Sequence, residues 1–238
     1  MATSIASVTG AWVQVKEDAV DAQRVQDAVH RGLGRAGRAV GQWCDVHRPR
    51  GAGSPLDGEN LVLRLQAAFS APGGRFARAQ GVGLAYWEGV FDAAYTRPGD
   101  YLRRRESRSG LGDGGVWFIA AQQALHPVLC VQANRVIDLV RPRHAEAPGL
   151  GAYGGRDGED AVRLRGWPVA MLPAGGAAGE AGLPERASGG WTVLLPANEA
   201  AAPTVGDAVR DDLGGLGWVA QAALQGAVWR LRLRSIAS

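Results

Sequence analysis

From Gln42 to the C-terminus the chain is a succession of short β-compatible runs, each cut off by a cluster of Gly, Pro, Asp or Asn. Such punctuation rules out long helices over most of the sequence and points to small antiparallel sheets that close on themselves. Seven runs come first: Gln42 to His47, Leu61 to Phe69, Leu84 to Phe91, Asp100 to Arg104, Gly115 to Gln122, Pro127 to Gln132 and Arg135 to Val140. Five more follow: Ala161 to Leu172, Trp191 to Leu195, Asp207 to Asp211, Leu216 to Gln221 and Ala227 to Arg234. Turn signals separate them, among them Arg48 to Gly58, Arg97 to Gly99 and the pair Ala133-Asn134.

Ahead of the first run, Val20, Val25, Val29, Leu33 and Val40 recur at mostly helical spacing. Asp18 is available as an N-cap, and Glu17 and Asp21 suit the positive helix end. A helix is therefore predicted from Asp18 towards Gly41. Gly32, Gly34 and Gly37 each cost ~1 kcal/mol relative to Ala inside a helix, so its regular part is expected to end near Arg31 or fray beyond it.

These elements predict a mainly β protein: an N-terminal helix, then two small antiparallel β-barrel or sandwich units. The expected division is an N-terminal arm and helix (1–41), a first β domain (42–142), a Gly/Pro/Ala-rich linker (143–160) and a second β domain (161–238). Residues 173–190 are expected to form a flexible loop, because they are too poor in large apolar groups to pack alone.

An internal repeat ties the units together. Gly99-Asp100-Tyr101-Leu102-Arg103 parallels Gly206-Asp207-Ala208-Val209-Arg210, and each is preceded by a Pro-containing stretch. Downstream, Phe118 to Gln122 parallels Trp218 to Ala222, and Val128 to Val131 parallels Ala227 to Leu231. Gly-Asp is a tight-turn entry in which Gly accepts positive φ and Asp caps neighbouring N–H groups. The pattern fits a tandem duplication, although Gly-Asp before an apolar strand is common in β proteins.

The 238 residues are 46% hydrophobic, enough to bury a core, and the net charge of +3 is small for a dedicated nucleic-acid binder. The longest apolar runs, such as Val116 to Ala121, fall far short of the ~20 residues of a membrane span. Met1 to Gly10 lacks the basic and apolar segments of a secretory signal, so no export by that route and no membrane association is expected. Cys44 and Cys130 sit in apolar strand-like stretches and are read as buried free thiols, a single disulfide between them being the alternative.

Residue patterns for chemistry are sparse. His30, His47, His126 and His144 lie apart, neither cysteine has metal-like spacing from one of them, and His47 is expected at an exposed edge. The glycines of 110–115 lack the Lys-Ser/Thr context of a phosphate loop, and no Gly-x-Ser-x-Gly elbow occurs. No catalytic residue, cofactor or metal is expected, although a carboxylate pair such as Glu88 and Asp92 could still act. Eight tryptophans suit core and interface packing, a glycan platform or the base stacking of a single-strand-binding module. Trp12, Val25 and Val29 are candidate interface residues. Arg103, Arg104, Arg105 and Arg108 form the densest basic patch, a candidate for a DNA channel or an acidic partner, with a solvated hairpin tip as the plain reading.

The stretch Thr96-Arg-Pro-Gly-Asp-Tyr-Leu102, followed by Trp117-Phe-Ile-Ala-Ala-Gln-Gln-Ala-Leu-His-Pro-Val-Leu-Cys-Val-Gln-Ala-Asn-Arg135, resembles structural proteins of tailed-phage and prophage morphogenesis clusters. The terminal hairpin of each half is similar to the small β-barrels of head-tail joining and tail-tube proteins. The resemblance covers Leu84 to Pro142 and, more loosely, Trp191 to Arg234. It implies a non-enzymatic virion component in the neck or tail, assembled in the bacterial host cytoplasm. It also implies a ring of copies, contacts with other neck or tail proteins and transient contact with genomic DNA. Two readings compete with it: a two-barrel glycan- or receptor-binding module, and an enzyme with a dispersed site.

Overall fold

The structure, a computed structural model, describes residues 9–71, 85–105, 114–142, 160–173 and 190–235, with helix side chains described from Ala22 onward. Among the described residues, one α-helix, α1 (Thr9–Val40), precedes twelve strands, with a short 3-10 turn at Gly58–Asn60. The first six are β1 (Gln42–His47), β2 (Leu61–Ser70), β3 (Tyr86–Val90), β4 (Tyr101–Arg104), β5 (Val116–Ala121) and β6 (Val128–Ala133). The second six are β7 (Arg135–Arg141), β8 (Ala161–Pro173), β9 (Gly190–Pro196), β10 (Ala208–Asp211), β11 (Leu216–Gln225) and β12 (Val228–Ser235). All twelve sequence-predicted runs are strands, with ends shifted by a few residues.

Each set of six closes into an antiparallel barrel, in the order β1-β2-β3-β6-β5-β4 and, with the same connectivity, β7-β8-β9-β12-β11-β10. Closure runs through β1 with β4 and through β7 with β10. It leaves neither barrel with an open sheet edge.

The domain boundary differs from the expected one. β7 pairs with β8 and β10 and so belongs to the second barrel. The barrels meet at Ala133, Asn134 and Arg135, and residues 143–160 connect β7 to β8 within the second barrel rather than linking two domains. Composition misplaced the boundary because the true junction is too short to leave a compositional trace. Asn134 fixes it by accepting from Met171 N–H at 2.7 Å and donating to the Met171 carbonyl at 3.0 Å. The expected flexible loop at 173–190 lies almost wholly outside the described residues.

Strand alternation distributes the core over two clusters. Leu102, Trp117, Ile119 and Cys130 point into the first barrel with Cys44, Val46 and Phe91. Their chain neighbours Tyr101, Phe118, Ala120 and Val131 point the other way, into a cluster shared with Ile137, Leu164, Trp167, Val193 and Leu231 of the second barrel. β4, β5 and β6 are thus buried on both faces, and the two barrels share one apolar interface. Tyr101 packs edge-on to Trp167 at 6.1 Å.

α1 continues through its glycines to Val40, without the break predicted near Arg31. Gly34 and Gly37 form the helix surface that lies on the first barrel. A Cβ on Gly37 would stand 2.7 Å from the Val90 carbonyl oxygen and 2.8 Å from that of Gln66, and one on Gly34 would stand 2.9 Å from Asp92 Cβ. Close packing at these two residues offsets the helix propensity they lack.

Candidate functional site

The repeat carries a matched pair of ion pairs, each formed on a buried aspartate. Arg48, just after β1, donates from Nε to Asp100 Oδ1 at 2.9 Å and from Nη2 to Oδ2 at 2.7 Å. Arg141, ending β7, grips Asp207 in the same way at 2.8 and 3.0 Å. Both aspartate side chains are 1% exposed.

Around each aspartate the backbone repeats as well. Gly99 and Gly206 adopt φ of 92° and 91°, a left-handed conformation that a side chain would strain. Their N–H groups donate to Ile119 and Val219, whose own N–H groups donate back to Asp100 and Asp207. Each aspartate also accepts from a backbone N–H three residues upstream, Arg97 at 3.0 Å and Thr204 at 2.8 Å. The register next to the clasps agrees, Asp45 standing opposite Arg103 and Asp138 opposite Arg210. A bulge follows at the same place, between Ile119 and Ala121 and between Val219 and Gln221.

These clasps are structural. Burial by itself would raise the Asp207 carboxyl, but hydrogen bonds from Arg141 and the Thr204 N–H hold it below the usual carboxylate range. It is a fixed anion with its lone pairs occupied, unsuited to acid or base work. Arg48 and Arg141 went unrecognised in the sequence. The signal was an arginine directly after the first strand of each half, hidden because β7 was assigned to the wrong half.

Beside the first clasp, Arg50, Arg97, Pro98, Asn198 and Glu199 line an open cleft of about 720 Å³ between the barrels. Arg165 N–H and Trp167 Nε1 donate to the Ala52 carbonyl, and Asn198 Nδ2 to that of Gly51, so the loop after β1 is stitched to the second barrel. Among the described residues, no three His, Cys, Asp or Glu side chains gather as metal ligands.

His47 is not the exposed edge residue expected. It is 5% exposed, with Nδ1 3.3 Å from the Asp57 carbonyl and Nε2 buried without a partner. Burial holds its imidazole below the ordinary range. Cys44 and Cys130 are free and buried in the first barrel. Burial pushes the Cys44 thiol up to about 11 and that of Cys130 still higher, as suits inert core thiols.

The basic patch is partly neutralised. Arg103 and Arg105 are exposed on and just after β4, and Arg104 lies 4.8 Å over the Trp117 ring. Asp45 takes Arg64 at 2.9 Å and Arg105 at 3.9 Å. Arg108 falls outside the described residues. Of the interface candidates, Val25 is 51% exposed and Val29 half-buried, while the Trp12 side chain falls outside the described residues. Among the described tryptophans, Trp43 on the first barrel and Trp191 on the second are the exposed ones. Glu88 lies on β3, and Asp92 caps the Ala94 N–H at 3.1 Å.

No family model, no curated protein and no solved structure matches the chain.

Proposed function

We propose that this chain is a structural subunit of a tailed-phage virion, placed in the neck or tail, which works by multi-copy assembly rather than by chemistry. The observation that supports this reading most is the attachment of α1. A helix of 32 residues, about 48 Å long, packs on β2 and β3 through Gly34 and Gly37 near its C-terminal end.

Ala22, Val25, Val29, Leu33, Ala36 and Val40 recur three or four residues apart on a different face from that glycine contact. This stripe remains partly or fully exposed, with Val40 74% accessible. A helix gains most of its stability by burying such a stripe, so a neighbouring copy is the natural cover for it. Two closed barrels joined through one shared apolar cluster provide a platform from which the helix reaches that neighbour.

Quantitative mass spectrometry of purified phage-like particles tests the proposal. The chain is expected at a low, ring-like multiple relative to the major capsid protein. Its absence from intact particles would overturn the reading.

A further inference from the structure

β12 carries Arg230, Arg232 and Arg234 on alternate positions, so all three point out of the second barrel while Leu231 and Leu233 point in. All three are exposed, and among the described residues none of their side chains makes an ion pair or a hydrogen bond. This contrasts with Arg48, Arg64, Arg97, Arg105, Arg141 and Arg210, each of which has a carboxylate within reach.

Among the described residues, the strand neighbours of the row include no acid. Opposite Arg230, Arg232 and Arg234 stand Ala223, Gln221 and Trp218 on β11, and Leu194, Thr192 and Gly190 on β9. Gln221, Gln225, Arg230 and Arg232 line a shallow groove of about 320 Å³.

We infer that this arginine row on β12, with Gln221 and Gln225 beside it, is a binding site for the phosphate backbone of duplex DNA. Three cations on one face of a strand repel one another unless an anion lies across them. Each guanidinium presents a planar fork that matches a phosphate bidentately, and the glutamine amides add donors for phosphate or sugar oxygens. Successive arginines are spaced about 7 Å along the strand, so the row presents three cations over about 14 Å to a phosphate backbone that crosses it.

An acidic protein surface is the weaker fit. Protein interfaces have an apolar centre and a charged rim, whereas here the charges occupy the centre. The inference does not depend on the virion reading, and either can fail alone.

Fluorescence anisotropy of the full chain with a short mixed-sequence duplex tests it. Three phosphate contacts at ~0.9 counterion each give a slope of log K against log salt near −2.7, about a 40-fold loss between 50 and 200 mM. Arg232→Gln is expected to make that slope shallower by about 0.9 and to weaken different duplex sequences equally. The triple substitution Arg230→Gln, Arg232→Gln, Arg234→Gln is expected to abolish binding, with an unchanged far-UV spectrum showing that the barrel survives.

Binding that persists in the triple variant would overturn the inference, as would no binding at low salt. Poly-glutamate or anionic phosphatidylserine vesicles bound more tightly than the duplex would also overturn it, assigning the row to a protein or lipid partner.

Discussion

The Tyr101 hydroxyl, at the start of a first-barrel strand, donates a 2.8 Å hydrogen bond to the Pro168 carbonyl of the second barrel. The phenol is fully buried, and burial raises its pKa well above the ordinary tyrosine range. Tyr101→Phe keeps the ring contacts with Phe118 and Trp167 but leaves the Pro168 carbonyl without its partner. A loss of about 1–3 kcal/mol is expected in denaturant unfolding, the cost of orphaning a buried polar group. Tyr86→Phe, on an exposed side chain, is the control and should change stability by less than ~0.5 kcal/mol.

The clasps are expected to respond asymmetrically to removal of either partner. In Arg141→Met the carboxylate of Asp207 stays behind, almost wholly buried, whereas in Asp207→Asn the arginine, 34% exposed, still reaches water. Breaking a buried pair costs about 3–5 kcal/mol when the remaining charge is stranded. Arg141→Met should approach that range at pH 7 and Asp207→Asn should cost less. Lowering the pH allows the stranded carboxyl to protonate, so the penalty of Arg141→Met shrinks towards pH 4. Denaturant midpoints of both variants at the two pH values check this.

Stability should also fall in acid in two steps. His47 titrates near 6.5 when unfolded, but burial lowers its value in the native barrel. Between the two values the unfolded chain binds more protons than the native one. The His47 contribution is therefore complete above about pH 6.5 and is lost as the pH falls below it. Asp207, also lowered on folding, contributes above about 3.9, the unfolded value, and that part is lost as the pH falls through its native value. Thermal melts from pH 8 to pH 3 should show both steps, and His47→Gln should remove only the first.

Most of the fold was legible because strand alternation and turn residues are local signals. Every strand could be located from runs such as Val116 to Ala121 and stops such as Gly99. The partner of each strand is a long-range fact, which is why β7 was assigned to the barrel it follows rather than the one it builds. Arg48 finds Asp100 across 52 residues and Arg141 finds Asp207 across 66, so no local pattern could reveal either clasp. The Arg230, Arg232 and Arg234 row was visible as alternation, but that no described residue opposite it is acidic depends on what β9 and β11 place beside it. His47 appeared exposed because the Asp57 segment that covers it is irregular chain.

The helix glycines show how far propensity can mislead, and they separate two effects experimentally. Gly32 has nothing within 4 Å of where a Cβ would sit, whereas one on Gly37 would strike the Val90 and Gln66 backbone oxygens. Gly32→Ala should stabilise the chain by about 0.5–1 kcal/mol, because alanine is the better helix former and restricts the unfolded state. Gly37→Ala gains the same propensity but must push the helix off β2 and β3, since backbone oxygens cannot swing aside as a side chain can. A net loss of about 1–3 kcal/mol, the usual cost of overpacking, is expected there. Thermal denaturation of the two variants side by side, with opposite signs of the shift in Tm, would show that the glycine face holds α1 on the barrel. Stabilisation by both would mean that the helix does not depend on that contact.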